Sequence, residues 1–254
     1  MSSVIVRRSP GRPFPRTVRR LALPVATVLA IPVAWAGTPT LPRDLGSAER
    51  ARLAPVTSAA TLSTRFDATP FPARPDVFEY LLDHPEFATH VTRALKLARY
   101  RIWRQSDGLF LDDGWGARGT FEVVHRSPGV RVMYARGGYE QRMLPNINGE
   151  AVVIFEYAVK PGADGHPQVA PSISSFVKLD GGLASMASRV APSLAREKAD
   201  KEAQRLAKVF MRVSRAIDEN PARVYDLVRQ RSDVPARDLE GFRQLLNLPK
   251  HAKP

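Results

Sequence analysis

The stretch Asp112–Phe121, DDGWGARGTF, places Gly114, Gly116 and Gly119 in the spacing G-x-G-x-x-G. In a dinucleotide site this spacing provides a tight turn, close backbone approach to the pyrophosphate and a helix N-terminus to receive it. An acid about 20 residues further on holds the ribose. Glu140 stands near that distance, but the helix is missing. Thr120-Phe121-Glu122-Val123-Val124 alternates as a strand does, and Ser127-Pro128-Gly129 interrupts any helix across the interval. The strand–helix–strand alternation of a dinucleotide fold is absent on both sides. The glycines therefore read as bends or bulges in a curved sheet. Gly137-Gly138, inside YARGGYEQ, is a second such point that can lie beside the first.

Other chemistry-bearing residues are sparse. His84, His90, His125, His166 and His251 are scattered, with no H-x-x-x-H or H-E-x-x-H pair, so no metal site is expected. No G-x-S-x-G elbow or phosphate-binding loop occurs. Asp112 and Asp113 fit solvated turn carboxylates. The chain has no cysteine, which closes thiol nucleophiles, thiolate metal sites and disulfides, and no cofactor is expected. Two charges are less easily dismissed: Arg136 lies in VMYARGG and Glu156 in AVVIFEYAV, strands that are otherwise apolar. Facing inward, either would need a partner and could orient the polar end of a ligand. Facing outward, each would sit on the solvent side of a one-sided sheet, which alternation supplies more readily. Tyr134, Phe155, Tyr157 and Phe176 pose the same choice between core packing and cavity lining.

The elements that position these residues change period along the chain. Residues 1–36 carry Arg7, Arg8, Arg12, Arg16, Arg19 and Arg20 without one acid, six of the charges behind a net +13. RRLALPVATVLAIPVAWAG reads as an export signal, with an apolar run Leu21–Val33 and a small-x-small site Ala34-Trp35-Ala36. Cleavage is expected after Ala36 and a periplasmic destination follows; left uncleaved, the segment would act as an anchor. Thr17-Val18-Arg19-Arg20 lacks a serine or threonine directly before the arginine pair, which favours the general secretory route over the twin-arginine one. Export argues against a nucleic-acid role for the basic surface.

Residues 37–64 read as a linker with one short helix near Leu45–Leu53, and the folded domain is expected over 65–220. Pro75 and Asp76 open a helix carrying Phe78, Leu81 and Leu82. Asp83-His84-Pro85 stops it and starts another, with Phe87, Val91 and Leu95 on one face. YRIWR, LFLDD, GTFEVVHR, VRVMYARGGYEQ, AVVIFEYAVK and PSISSFVKLD then follow as strands, separated by turn signals such as Ser127-Pro128-Gly129. This makes an antiparallel meander. From Leu183 to Ile217 the period is helical, with a kink or restart at Pro192. Residues 221–254 form a helical, arginine-rich extension, a basic surface that could also touch anionic lipid.

This order resembles the START-like (SRPBCC) superfamily, the helix-grip fold. The likeness rests on the order itself and on PDVFEYLLDHPEFATHV before the first hairpin and VKLDGGLASMASRVAP entering the long helix. The resemblance implies an α+β fold in which a curved antiparallel sheet of six or seven strands wraps a long C-terminal helix. It further implies a deep apolar cavity for a lipid or other hydrophobic small molecule. Tyr134, Arg136, Phe155, Glu156, Tyr157 and Phe176 are then candidates to line it, with Met186 and Val190 at the start of the helix. No catalytic residue is expected for a carrier that contacts a membrane peripherally. Two alternatives stay open. One is an enzyme of the same fold, of cyclase, dehydratase or hydrolase type, using Glu156, Glu140, His125 and Arg136. The other is a non-catalytic envelope protein whose helices bind a partner.

Overall fold

A computed structural model describes residues 39–106, 108–140, 147–163, 165–180 and 192–250. The expected signal segment, and Met186 and Val190, lie outside the described residues. The elements in order are α1 (Ser47–Thr57), β1 (Leu62–Asp67), β2 (Phe71–Pro72), α2 (Pro75–Asp83) and α3 (Pro85–Ala94). Six strands follow: β3 (Arg101–Gln105), β4 (Gly108–Asp112), β5 (Ala117–Ser127), β6 (Val130–Tyr139), β7 (Ile147–Pro161) and β8 (Pro167–Leu179). Three helices complete the chain: α4 (Pro192–Glu219), α5 (Pro221–Arg229) and α6 (Ala236–Leu245).

The result is the α+β helix-grip arrangement. One antiparallel sheet runs in the order β1-β8-β7-β6-β5-β4-β3, with β2 also pairing β8. The first strand therefore closes against the last, while β3 to β8 form the meander set by the short turns. Prolines mark the helix starts: Pro75 and Pro85 occupy first-turn positions, where a missing N–H costs nothing. Asn220 caps α5 by accepting from the Arg223 N–H at 2.9 Å.

Strand alternation sends side chains to two faces, and both are covered. On the inner face, Leu206 and Phe210 of α4 pack against Met133, Val153, Phe155 and Ile173. The other side of α4, Val209, Val213 and Ile217, packs on Val77, Leu81, Phe87 and Val91. Val224, Val228 and Phe242 of α5 and α6 complete that same core. The apolar positions of α4 therefore divide between two neighbours.

The outer face carries α1. Leu45, Leu53 and Val56 are buried against Val132, Val152, Ile154 and Phe176. Residues read from sequence as a linker thus hold a helix that covers the back of the sheet. Burying Leu53 and Val56 at roughly 1.5–3 kcal/mol each gives α1 a firm hold despite Pro55 within it.

Candidate functional site

Between the inner face of the sheet and α4 lies a cavity of ≈ 610 Å³. Its walls come from β3 to β8, from Leu81 and Leu82 of α2, and from Leu206 and Phe210 of α4. One end is closed by rings. Phe78 meets Phe155, Tyr157 and Phe210 at centroid distances of 6.1, 5.1 and 5.5 Å, the Tyr157 contact edge-on. Tyr100, Ile102, Leu111, Phe121 and Val123 form a side wall.

The space has a simple origin in the register. One row across the inner face reads Phe121, Ala135, Ala151, Val177, and the next reads Gly119, Gly137, Gly149, Leu179. On β6 and β7 two consecutive rows thus carry methyl groups or nothing, between Phe121 on one side and Val177 and Leu179 on the other. The neighbouring row contains Val123, Met133 and Val153, so the floor rises again toward the ring cluster.

The G-x-G-x-x-G string borders this cavity. Gly114 and Gly116 occupy the turn into β5, at φ +75° and +113°. Asp112 accepts from the Gly114 N–H at 2.8 Å, and Asp113 accepts from the N–H groups of Trp115 and Ala117 at 2.7 and 2.9 Å. These are Asx-type turns, and both carboxylates are used to build them. A strand follows, so no helix N-terminus is available for a phosphate. Gly119 pairs with Gly137, as the neighbouring-glycine reading expects. A Cβ on Gly119 would stand 2.4 Å from the Arg136 carbonyl oxygen, so the strands approach too closely there for a side chain.

Polar groups at the cavity are few. Arg131, at the ring-cluster end, gives Asp83 two parallel bonds, Nε to Oδ1 at 2.7 Å and Nη2 to Oδ2 at 2.9 Å. Its Nη1 donates to the carbonyls of Ser127 and Val130, both at 2.9 Å. The hydrogen bonds from Arg131, and its charge, hold the Asp83 carboxyl below its ordinary range. Arg131 is therefore committed to structure. Tyr157 donates to Glu79 at 2.6 Å, and burial followed by that carboxylate pushes its phenol up to about 12. The mouth is mixed in charge: Arg205 stacks over Trp115 at 4.9 Å and bonds Glu202 at 2.9 Å. The Tyr100 hydroxyl is buried in the wall with no hydrogen-bond partner among the described residues, and desolvation raises it to about 12.

The residues singled out from the sequence separate by face. Phe155 lines the cavity, and Tyr157 shares its face but sits beneath α2 in the ring cluster. Arg136 borders the cavity at its glycine rim, yet its guanidinium bonds Glu150 at 2.9 Å in an outer-face cluster. That cluster also holds Tyr134 and Lys178. Hydrogen bonds from Tyr134, then Arg136, then Lys178 draw the Glu150 carboxyl down to about 2. Tyr134 further meets Arg52 of α1 at 5.4 Å. Phe176 is buried under α1, and Glu156 pairs with Arg65 at 2.8 Å on the same outer side. His125 bonds Asp44 at 3.2 Å, and Glu140 is absent from the cavity wall among the described residues. The four residues considered for acid–base chemistry are not assembled at the cavity. Among the described residues no cluster of three or more potential metal ligands occurs.

Trp115, Phe121, Ala135, Ala151, Leu206 and Phe210 line the site without having been singled out. The available signal was phase. Glu150 and Glu156 lie an even number of residues apart on β7, so they mark its outer face and put Ala151, Val153 and Phe155 inside.

No family model matches the chain. No curated protein matches it either. Among solved structures it is similar to a hypothetical protein from Helicobacter pylori, at 14% identity over 60% of this chain and 86% of that one, TM-score 0.37. A protein from Thermus thermophilus aligns at 11% identity over 61% and 98%, TM-score 0.33. Ara h 8.0201 aligns at 13% identity over 63% of this chain and 100% of that one, TM-score 0.37. These likenesses concern the coarse fold alone.

Proposed function

We propose that this protein binds one hydrophobic small molecule in the cavity between sheet and α4 and carries or presents it at the cell envelope. The observation behind this reading is the cavity itself: ≈ 610 Å³, walled by apolar side chains. That size lies within the roughly 300–1,000 Å³ typical of ligand pockets. The arginines in its wall are already paired with carboxylates: Arg131 with Asp83, Arg205 with Glu202, Arg136 with Glu150 and Arg118 with Asp112. Binding and release need no covalent step.

Export rests on the N-terminal residues: the arginine pair, the apolar run and Ala34-Trp35-Ala36. Among the described residues no helix is long and apolar enough to cross a membrane. A lipid is the occupant that such a destination favours. Native mass spectrometry of the protein purified from its own source is the test, with an added mass that dissociates on activation as the expected result. Recovery of ligand-free protein alone, with no uptake from a lipid extract, overturns the reading. N-terminal sequencing of the fractionated protein tests export, and a start at Gly37 is expected.

A further inference from the structure

A second hollow lies on the opposite side of the sheet from the cavity under α4. α1 packs on the outer face of β6, β7 and β8. At its margin a pocket of ≈ 340 Å³ opens, lined by Arg52, Thr120, Tyr134 and Arg136. Thr120 and Arg136 are register partners on this face, and the same row continues to Phe110 of β4 and Trp103 of β3. Trp103 and Phe110 meet at a centroid distance of 4.8 Å, and Trp103 remains 38% exposed. One row thus runs from a guanidinium through a hydroxyl to an aromatic pair, in steps of about 4.8 Å.

The carboxylates beside this pocket leave donors unspent. Glu150 takes Nη2 of Arg136 together with the Tyr134 hydroxyl and the Lys178 ammonium. Nε and Nη1 of Arg136 make no bond among the described residues, and its side chain is 70% exposed. Arg52 gives both terminal nitrogens to Glu122, lies over the Tyr134 ring at 5.4 Å and keeps its Nε. The Thr120 hydroxyl has no partner among the described residues. Donors from α1, β5 and β6 therefore border one hollow. A tetrahedral phosphate accepts from several directions, and guanidinium forks suit its oxygens. Beside it the Trp103–Phe110 pair forms an apolar shelf. An exposed tryptophan next to cationic groups suits the boundary between lipid headgroups and acyl chains.

We propose that Arg52, Thr120 and Arg136 bind the phosphate of an anionic phospholipid headgroup, with Trp103 and Phe110 against the start of its acyl chains. This site is separate from the cavity and does not depend on the cavity being occupied. Dihexanoyl phosphatidylglycerol, kept below its micelle concentration, is the probe and inorganic phosphate the comparison, each titrated by calorimetry into the full-length chain. The lipid is expected to bind at least about tenfold more tightly than phosphate, since only it covers the aromatic shelf. Arg52 does not border the cavity under α4, so a lipid held there would not respond to its change. Arg52→Gln should weaken the lipid about tenfold, the loss of one charged donor. Thr120→Val should weaken it about threefold, and as a strand-compatible change of equal shape it covers the case in which Arg52→Gln fails to fold. Trp103→Ala should weaken the lipid about threefold and leave phosphate unchanged. Lipid affinity untouched in folded Arg52→Gln and Thr120→Val overturns the site, as does binding of neither probe. Phosphate binding as tightly as the lipid, or lipid affinity untouched in Trp103→Ala, overturns the headgroup assignment. Ligand uptake into the cavity, followed by native mass spectrometry, should be the same in Arg52→Gln and the parent, so failure of either site is read separately.

Discussion

The two faces of the central sheet are built from the same strands and serve opposite ends. On the outer face, large side chains of β6, β7 and β8 are sealed by α1, and the charged rim is paired through Arg52, Glu122, Arg136, Glu150 and Lys178. On the inner face, matched positions carry alanine and glycine, and a cavity remains beneath α4. A sheet can thus be made stable from behind and left unfilled in front. Cores normally approach close packing, so the unfilled side is where the proposed ligand would sit.

The largest expected effect breaks the shared backbone rather than either face. Gly137→Val should cost about 4 kcal/mol or more, or prevent folding, because strands β5 and β6 must separate to admit the new side chain. Urea denaturation gives the value, and a loss under about 1 kcal/mol would show that the strands yield easily.

Next come paired substitutions across the sheet. Leu53→Ala strips a fully buried side chain from α1 and should cost about 2–4 kcal/mol. Ala151→Leu adds bulk to the inner face, where overpacking a tight core would cost about 1–3 kcal/mol. Facing a void, it should cost less than about 1 kcal/mol. Equal large losses in the two variants would mean that the inner face is as tightly packed as the outer.

Glu150→Gln sharpens the account of the outer rim. The folded-state carboxyl is drawn down to about 2, below the ordinary value near ~4.3. A lowered carboxylate contributes stability that is complete above its unfolded value and is lost as pH falls through the folded one. The variant should therefore be less stable than the parent at neutral pH, with the gap narrowing between about pH 4.5 and 2. Melting curves across that range check it, and a gap independent of pH would remove Glu150 from the account.

The smallest effect is expected at Tyr100→Phe. The hydroxyl has no partner in the wall, so its removal should leave stability unchanged or raise it by up to about 1 kcal/mol. Calorimetric melting decides, and a clear loss would reveal a bond that the static structure does not show.

Much of this architecture can be read from local signals. Pro75 and Pro85 delimit α2 and α3, Ser127-Pro128-Gly129 turns β5 into β6, and Gly119 meets Gly137. The site was harder to read, for a physical reason. AVVIF in β7 shows no alternation because α1 buries its outer face and α4 with the ring cluster its inner one. Period-two patterning is informative only when one face is wet. Phe155 and Phe176 look alike in sequence and end on opposite faces. The alanine row was invisible for another reason: Ala135 and Ala151 acquire meaning only when register sets them side by side.

The pairing of β1 with β8 has a consequence in time. Thr64 bonds Ser175 across 111 residues of chain, so the first strand has no partner until nearly all the others exist. Contacts of such separation slow folding, since a long loop must be closed before the pairing rewards it. During synthesis at about 5–20 residues per second, that edge stays open for several seconds or more after β1 is made. For that interval the nascent chain offers a strand unpaired on both sides, and the arrival of β8 leaves only its outer edge open.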